Sequence, residues 1–176
     1  MAPPSADVIA GTHQELPKFL KQADGVMKRP SAAAMRGNAP KVKLPSPEES
    51  SKIASDWLAK FQQALDTKNI DNVLALFHED AYWKDLLTLE WDHHCKKDKS
   101  KIKEWLLKDE KLWKRQVKNV KMEQGTAAAL EAMPGLVWIM AFYDFETAIA
   151  RGRGCIRLQQ DTSSKEWKVS SALSHR

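Results

Sequence analysis

Ile53, Trp57, Phe61 and Leu65 recur every four residues, with Leu58 and Ala64 beside them, which puts one apolar stripe on a helix of four to five turns. Its start is marked by Ser46 as N-cap, Pro47 at the first helical position and the acids Glu48 and Glu49; Thr67, Lys68 and Asn69 break it. Residues 70–77 (IDNVLALF) predict a second, shorter helix closed by His78, Glu79 and Asp80. From Ala81 the period falls to two. Residues 81–85 and 87–94 read as strands, followed by a helix over 100–108 whose Ile102, Trp105 and Leu106 sit at i, i+3, i+4. Longer strands at 113–123, 135–147 and 149–161 predict a curved antiparallel meander, and 166–173 an edge strand.

The strand at 135–147 is apolar on both faces, with Val137, Ile139, Ala141, Tyr143 and Phe145 on one and Leu136, Trp138, Met140 and Phe142 on the other. One face should meet helices and the other a pocket or a partner subunit. In the next strand Arg151, Arg153 and Arg157 alternate with Ala150, Gly152, Gly154 and Ile156, so the arginines should face solvent while the small residues let the sheet bend or admit a ligand. The order predicts an α+β fold, a single curved antiparallel sheet wrapped around about three helices over residues 47–176. Residues 1–46 are rich in Ala, Pro, Ser and Gly and predict a mostly irregular leader, with an amphipathic piece at 16–26.

Composition narrows this picture. A chain of 176 residues with 43% hydrophobic content fits one globular domain with a tail. Its two cysteines, Cys95 and Cys155, form no CxxC pair, so a zinc ribbon is excluded and a reducing compartment suits the chain. The first residues lack a signal-peptide pattern and no run approaches the roughly 18–20 apolar residues of a membrane span, so the expectation is a cytoplasmic protein without membrane contact. The net charge of +5 is local: residues 96–121 hold eleven Lys or Arg against four Asp or Glu, a surplus that exceeds the whole chain's. With Ile102, Trp105 and Leu106 packed beneath, this is a solvated lysine face rather than a nucleic-acid surface.

The order of elements resembles the nuclear transport factor two-like fold, also called SnoaL-like or cystatin-like. Residues 53–92 (IASDWLAKFQQALDTKNIDNVLALFHEDAYWKDLLTLEWD) resemble the N-terminal domain that precedes the flavin-binding part of fungal flavin-dependent monooxygenases, most specifically in LFHEDAYWKDLLTLEWD, residues 76–92. The resemblance covers about residues 47–173, strongly in the first third and by topology afterwards. It implies a fold more than an activity. The dinucleotide fingerprint such a monooxygenase needs is absent, since the one glycine pair is Arg151-Gly152-Arg153-Gly154 inside a strand, so no flavin or other cofactor is expected here.

The same resemblance implies three function classes. In the first, the domain is a free-standing small-molecule binder or a cofactor-independent isomerase, cyclase or dehydratase acting on a hydrophobic carbonyl compound of secondary metabolism. Asp85 falls on the catalytic aspartate of the ketosteroid isomerases of this superfamily, where apolar walls would make it a base for proton abstraction. The isomerases' oxyanion-donating tyrosine falls on Phe61, which has no hydroxyl. Asp85 as a strand cap or ion-pair partner is the competing reading. His93 or His94 could pair with Asp85 as acid to its base; as strand neighbours they point to opposite faces, so with Asp92 and Cys95 they do not form a metal site. His78 is expected to meet a helix C-terminus. Trp83, Trp91, Trp138, Met140 and Phe142, with Phe61, are the candidate lining for a flat hydrophobic ligand, against a reading as plain core. Asp144 and Glu146 would form its gate or a solvated rim. The second class is a non-catalytic N-terminal module or remnant of a flavin monooxygenase, and the third a homodimer through the outer face of the sheet.

Overall fold

The computed structural model describes residues 43–91, 93–133 and 135–176, and of residues 93 and 94 the backbone alone. The leader up to residue 42, including the amphipathic piece at 16–26, lies outside the described residues.

Helix α1 (Pro47–Asp66) starts as its sequence predicts. The Ser46 hydroxyl accepts the Glu49 N–H at 3.1 Å while the Glu49 carboxylate accepts the Ser46 N–H at 2.8 Å, a reciprocal capping box. Its stripe of Ala54, Trp57, Leu58, Phe61, Ala64 and Leu65 is buried. Asn69 caps the two-turn helix α2 (Ile70–Ala75) through the N–H groups of Asp71 and Asn72. Strands β1 (Phe77–Leu86) and β2 (His93–Lys97) follow, then α3 (Lys99–Leu107), which buries Ile102, Trp105 and Leu106. After a one-turn helix α4 (Lys111–Lys114) come β3 (Lys118–Met122), β4 (Ala128–Met133), β5 (Leu136–Glu146), β6 (Arg151–Gln160) and β7 (Trp167–His175).

The strands form one sheet in the order β2-β1-β7-β6-β5-β3, with β4 also paired to β5. All pairings are antiparallel except β1 with β7, which is parallel. β3 and β4 therefore share one edge of β5, and β7 lies inside the sheet rather than at its edge. Register shifts between Phe77 and Tyr82 and between Arg157 and Leu158 interrupt the ladders that β7 makes with β1 and with β6.

Several local expectations give way to tertiary pairing. The predicted helix over 70–77 ends at Ala75, because the Leu76 carbonyl accepts the Val169 N–H at 2.9 Å and Phe77 pairs with Val169. His78 thus lies in a strand, its ring nitrogen 3.0 Å from the Gln159 carbonyl, and not at a helix end. Residues 87–91 form a loop, not a strand. The segment at 113–117 is the end of α4 and a turn: Trp113 donates its indole N–H to the Leu65 carbonyl at 2.9 Å, which ties it to α1 instead of the sheet.

The two faces of the sheet differ. Ile139, Ala141, Tyr143 and Phe145 of β5, Ile156 and Leu158 of β6, and Ala81 and Trp83 of β1 are buried on the side of the helices. There Trp83 is the hub of an aromatic cluster, stacked on Phe77 with ring centres 5.5 Å apart and edge-on to Phe61 and Trp105 at 6.4 and 5.8 Å. On the other side Trp138, Met140 and Phe142 are half-buried, and the exposed Arg157 and Arg153 lie over the Trp138 and Phe142 rings at 5.5 and 4.8 Å.

Candidate functional site

Asp85 is the one carboxylate among the described residues that is fully buried, with 0% exposure. It sits on the inner face of β1, level with Ser174 in the parallel β7. The Ser174 hydroxyl donates to one carboxylate oxygen at 2.7 Å and itself accepts the Trp83 indole N–H at 3.2 Å. The other oxygen accepts the backbone N–H groups of Leu89 and Glu90 at 3.0 and 3.2 Å. A buried carboxylate with three donors is charge-compensated by dipoles, and two of these donors belong to the loop that follows its own strand.

That 87–91 loop is held from several directions. The Arg115 Nε donates to the Leu89 carbonyl at 3.0 Å, and the buried Lys111 ammonium forms an ion pair with Glu90. Leu87, at the loop's start, adopts φ 64°, a left-handed conformation that a branched side chain takes only when its surroundings impose it, at about 1–3 kcal/mol. Leu89 points inward and is buried, whereas Trp91 is 74% exposed under the Arg176 guanidinium, 5.6 Å from the ring centre.

Beneath the loop lies a cavity of about 10 Å³, room for one water. Phe61, Trp83, Leu112, Val117 and Phe145 form its apolar wall; Thr88, Ser174 and Tyr143 supply the hydroxyl-bearing side chains. The Thr88 hydroxyl is buried and has no hydrogen-bond partner. Burial pushes the Tyr143 phenol well above a tyrosine's usual range, and its neighbours Cys155 and Asp85 push it the same way. The glycines expected to leave room for a ligand leave room for the protein's own rings instead. A Cβ at Gly154 would meet the Tyr143 ring, and one at Gly152 the Phe145 ring, each directly across the β5–β6 ladder. Larger hollows, about 500 and 230 Å³, open on the outside of α1 beside Trp167 and are lined by charged side chains of both signs.

No protein-family model and no curated protein matches the sequence. The solved structures tell more. The chain is similar to a cystatin-like-fold protein of unknown function from Nostoc punctiforme, with a TM-score of 0.51 at 12% identity over 76% of this chain and 93% of that one. It is similar to a ketosteroid isomerase-like protein from Erwinia carotovora atroseptica (TM-score 0.50, 9% identity, 72% and 95% covered) and to ActVI-ORFA from Streptomyces coelicolor (TM-score 0.50, 14% identity, 70% and 94% covered). The chain has the nuclear transport factor two-like, or cystatin-like, fold.

Within this nuclear transport factor two-like cone the predicted site residues separate into three places. Phe61 and Trp83 border the interior cavity, with Asp85 behind Ser174. Trp138, Met140 and Phe142 lie on the outer face of the sheet, since alternation along β5 buries their neighbours Ile139 and Ala141 instead; Asp144 shares that outer side and is exposed. Trp91 stands on the 87–91 loop, facing solvent. Asp92 and the side chains of His93 and His94 lie outside the described residues; in the backbone of β2, His94 is paired with Asp85 and His93 with Leu86. The interior residues that sequence reasoning passed over are Tyr143, Thr88, Leu89 and Ser174. Tyr143 had a signal, an aromatic residue placed across a hairpin from a glycine; Ser174 had none, because its contact with Asp85 depends on the parallel β1–β7 pairing.

Among the described residues no helix is long and apolar enough to cross a membrane.

Proposed function

We propose that this chain is a non-catalytic module of the kind that precedes the flavin-binding part in fungal flavin-dependent monooxygenases, and that it works by binding rather than by a reaction of its own. One observation carries the reading: Asp85, the residue a proton-abstracting enzyme of this fold would use, has its oxygens occupied by Ser174, Leu89 and Glu90, beside a space no larger than a water. A general base must reach the proton it removes. Several positions of the stretch LFHEDAYWKDLLTLEWD also have a structural task. Phe77 and Trp83 build the aromatic cluster, Asp85 anchors the loop and Leu89 fills the cone.

A second reading, a cofactor-independent isomerase, cyclase or dehydratase acting on a hydrophobic carbonyl compound, is favoured by one arrangement. Tyr143 borders the same cavity as Phe61, so the phenol that α1 lacks is offered from β5. That chemistry requires Leu89 to leave the cone. Incubation of the chain with a panel of hydrophobic ketones in deuterated buffer separates the readings: the module should neither exchange the protons next to the carbonyl nor change its tryptophan fluorescence. Exchange by wild type that Asp85→Asn abolishes would overturn the first reading in favour of the second.

Self-association is compatible with either, through the half-buried Trp138, Met140 and Phe142 of the outer face.

A further inference from the structure

Four paired positions form one row across the inner face of the sheet. Tyr143 on β5 pairs with Gly154 on β6, Gly154 with Ser174 on β7, and Ser174 with Asp85 on β1. Paired residues point to the same face, so the three side chains of the row all lie on the side of the helices. Gly154 leaves the middle of the row open, and the Tyr143 ring lies over it together with its hydroxyl. One end of the row is closed, because Ser174 donates to Asp85. At the other end the Tyr143 phenol forms no hydrogen bond among the described residues.

The cavity beneath Thr88 lies against this row. Thr88, Tyr143 and Ser174, which are 8, 4 and 3% exposed, bring their hydroxyl-bearing side chains to it. From this arrangement we infer that the cavity binds one water molecule, held by Thr88, Tyr143 and Ser174, which carries the hydrogen-bond network of Asp85 across the row to β5.

The first support is size. A volume of about 10 Å³ admits one water and no organic ligand. The second is the count of donors and acceptors. A hydroxyl has one proton to donate and two lone pairs. Ser174 uses its proton on Asp85 and one lone pair on the Trp83 indole, which leaves one lone pair. Burial keeps the Tyr143 phenol protonated and able to donate. A water that accepts from Tyr143, donates to Ser174 and exchanges a hydrogen bond with Thr88 makes three bonds, the usual number for a buried water. The third is location. A buried hydroxyl without a partner is costly, and Thr88 carries one into this cavity. The other buried side-chain groups without partners, on Ser50, Trp105 and Trp138, do not line it. The site holds under either reading of the chain. Under the second, a ligand's carbonyl oxygen would have to displace this water and take over its hydrogen bonds.

A crystal structure of the full 176-residue chain, at a resolution that shows ordered water, should place a density peak within about 3.2 Å of all three hydroxyl oxygens. No peak, or one bonded to fewer than two of them, would overturn the site. A double-mutant cycle tests the bridge in solution, with Thr88→Val and Tyr143→Phe each removing little more than a hydroxyl. Each should raise the unfolding constant measured in urea. The double variant should fall short of the product of the two effects by at least about threefold, because either change alone already breaks the bridge. Thr88→Ser keeps the hydroxyl and should show no such shortfall with Tyr143→Phe beyond that of Tyr143→Phe in the wild-type background. Ser50→Ala, away from the cavity, should combine with Thr88→Val as a product to within about twofold. Independent effects of Thr88→Val and Tyr143→Phe, or an equal shortfall with Ser50→Ala, would overturn the bridge.

Discussion

If Asp85 is an anchor, removing its carboxylate should unfasten the 87–91 loop and the β1–β7 seam together. Asp85→Ala orphans three donors at once: the Ser174 hydroxyl and the N–H groups of Leu89 and Glu90. A hydrogen bond to a charged group contributes about 1.5–3 kcal/mol, and part of that is returned when the buried charge disappears. The net loss expected for breaking a buried, fully hydrogen-bonded charge is about 3–5 kcal/mol, which lowers Tm by about 10 °C in a domain of this size. Asp85→Asn keeps the shape and one good acceptor but exchanges charged hydrogen bonds for neutral ones, so it should lose about 1–2 kcal/mol. Ser174→Ala removes one donor to Asp85 and the acceptor of the Trp83 indole, with a similar loss. Because the two residues touch, their effects should not add: the double variant Asp85→Ala/Ser174→Ala should fall short of the sum by about 1 kcal/mol. Urea unfolding followed by tryptophan fluorescence, paired with thermal melts, measures all four chains. A catalytic carboxylate behaves oppositely, since a buried charge kept for chemistry tends to be relieved by its removal. An Asp85→Ala chain within about 0.5 kcal/mol of wild type, or more stable than it, would refute the anchor.

Two further outcomes test other parts of the structure. Gly154→Ala forces the Tyr143 ring off its seat on β6 and should destabilise the fold by about 1–3 kcal/mol in the same urea assay; a neutral effect would mean that the ring does not lie over the glycine. In the β6–β7 turn the Asp161 carboxylate accepts the Ser164 and Ser163 N–H groups at 2.9 and 2.8 Å, which with Lys168 lowers its pKa from 3.8 to about 2. A carboxylate held low in the folded state adds stability above pH 3.8 that is lost as pH falls through about 2. Titration of this carboxyl by NMR should therefore show no transition at its ordinary value, and a midpoint near 3.8 would contradict the turn geometry.

Where the hydrophobic period was long and its ends were marked, the fold was legible. α1 needed only its four-residue repeat, Ser46 and Pro47; β5 and β6 needed only alternation over ten or more residues. The errors fall where two periods fit a short segment. Phe77 completes the stripe of α2 as well as it begins β1, and the choice is made by Val169, which is far away in sequence. Residues 87–91 alternate like a strand, but Asp85 takes the Leu89 and Glu90 N–H groups that a ladder would need. β4, with its Ala-rich AALEAM, has no strand signature of its own and exists because the edge of β5 is open to it.

The candidate site shows the same division between what a residue is and what its neighbours make of it. Position 85 was identifiable from the motif around it, yet nothing local distinguishes an aspartate poised as a base from one holding a loop. The difference lies in Ser174, which reaches Asp85 only because β7 inserts parallel to β1 in the middle of the sheet. The inner face of β5 makes the complementary point. Gly152 and Gly154 leave space in β6, as their residue type demands, but the rings of Phe145 and Tyr143 fill it from across the ladder. The cone's glycines, its inward leucine and its buried carboxylate thus all serve its own closure.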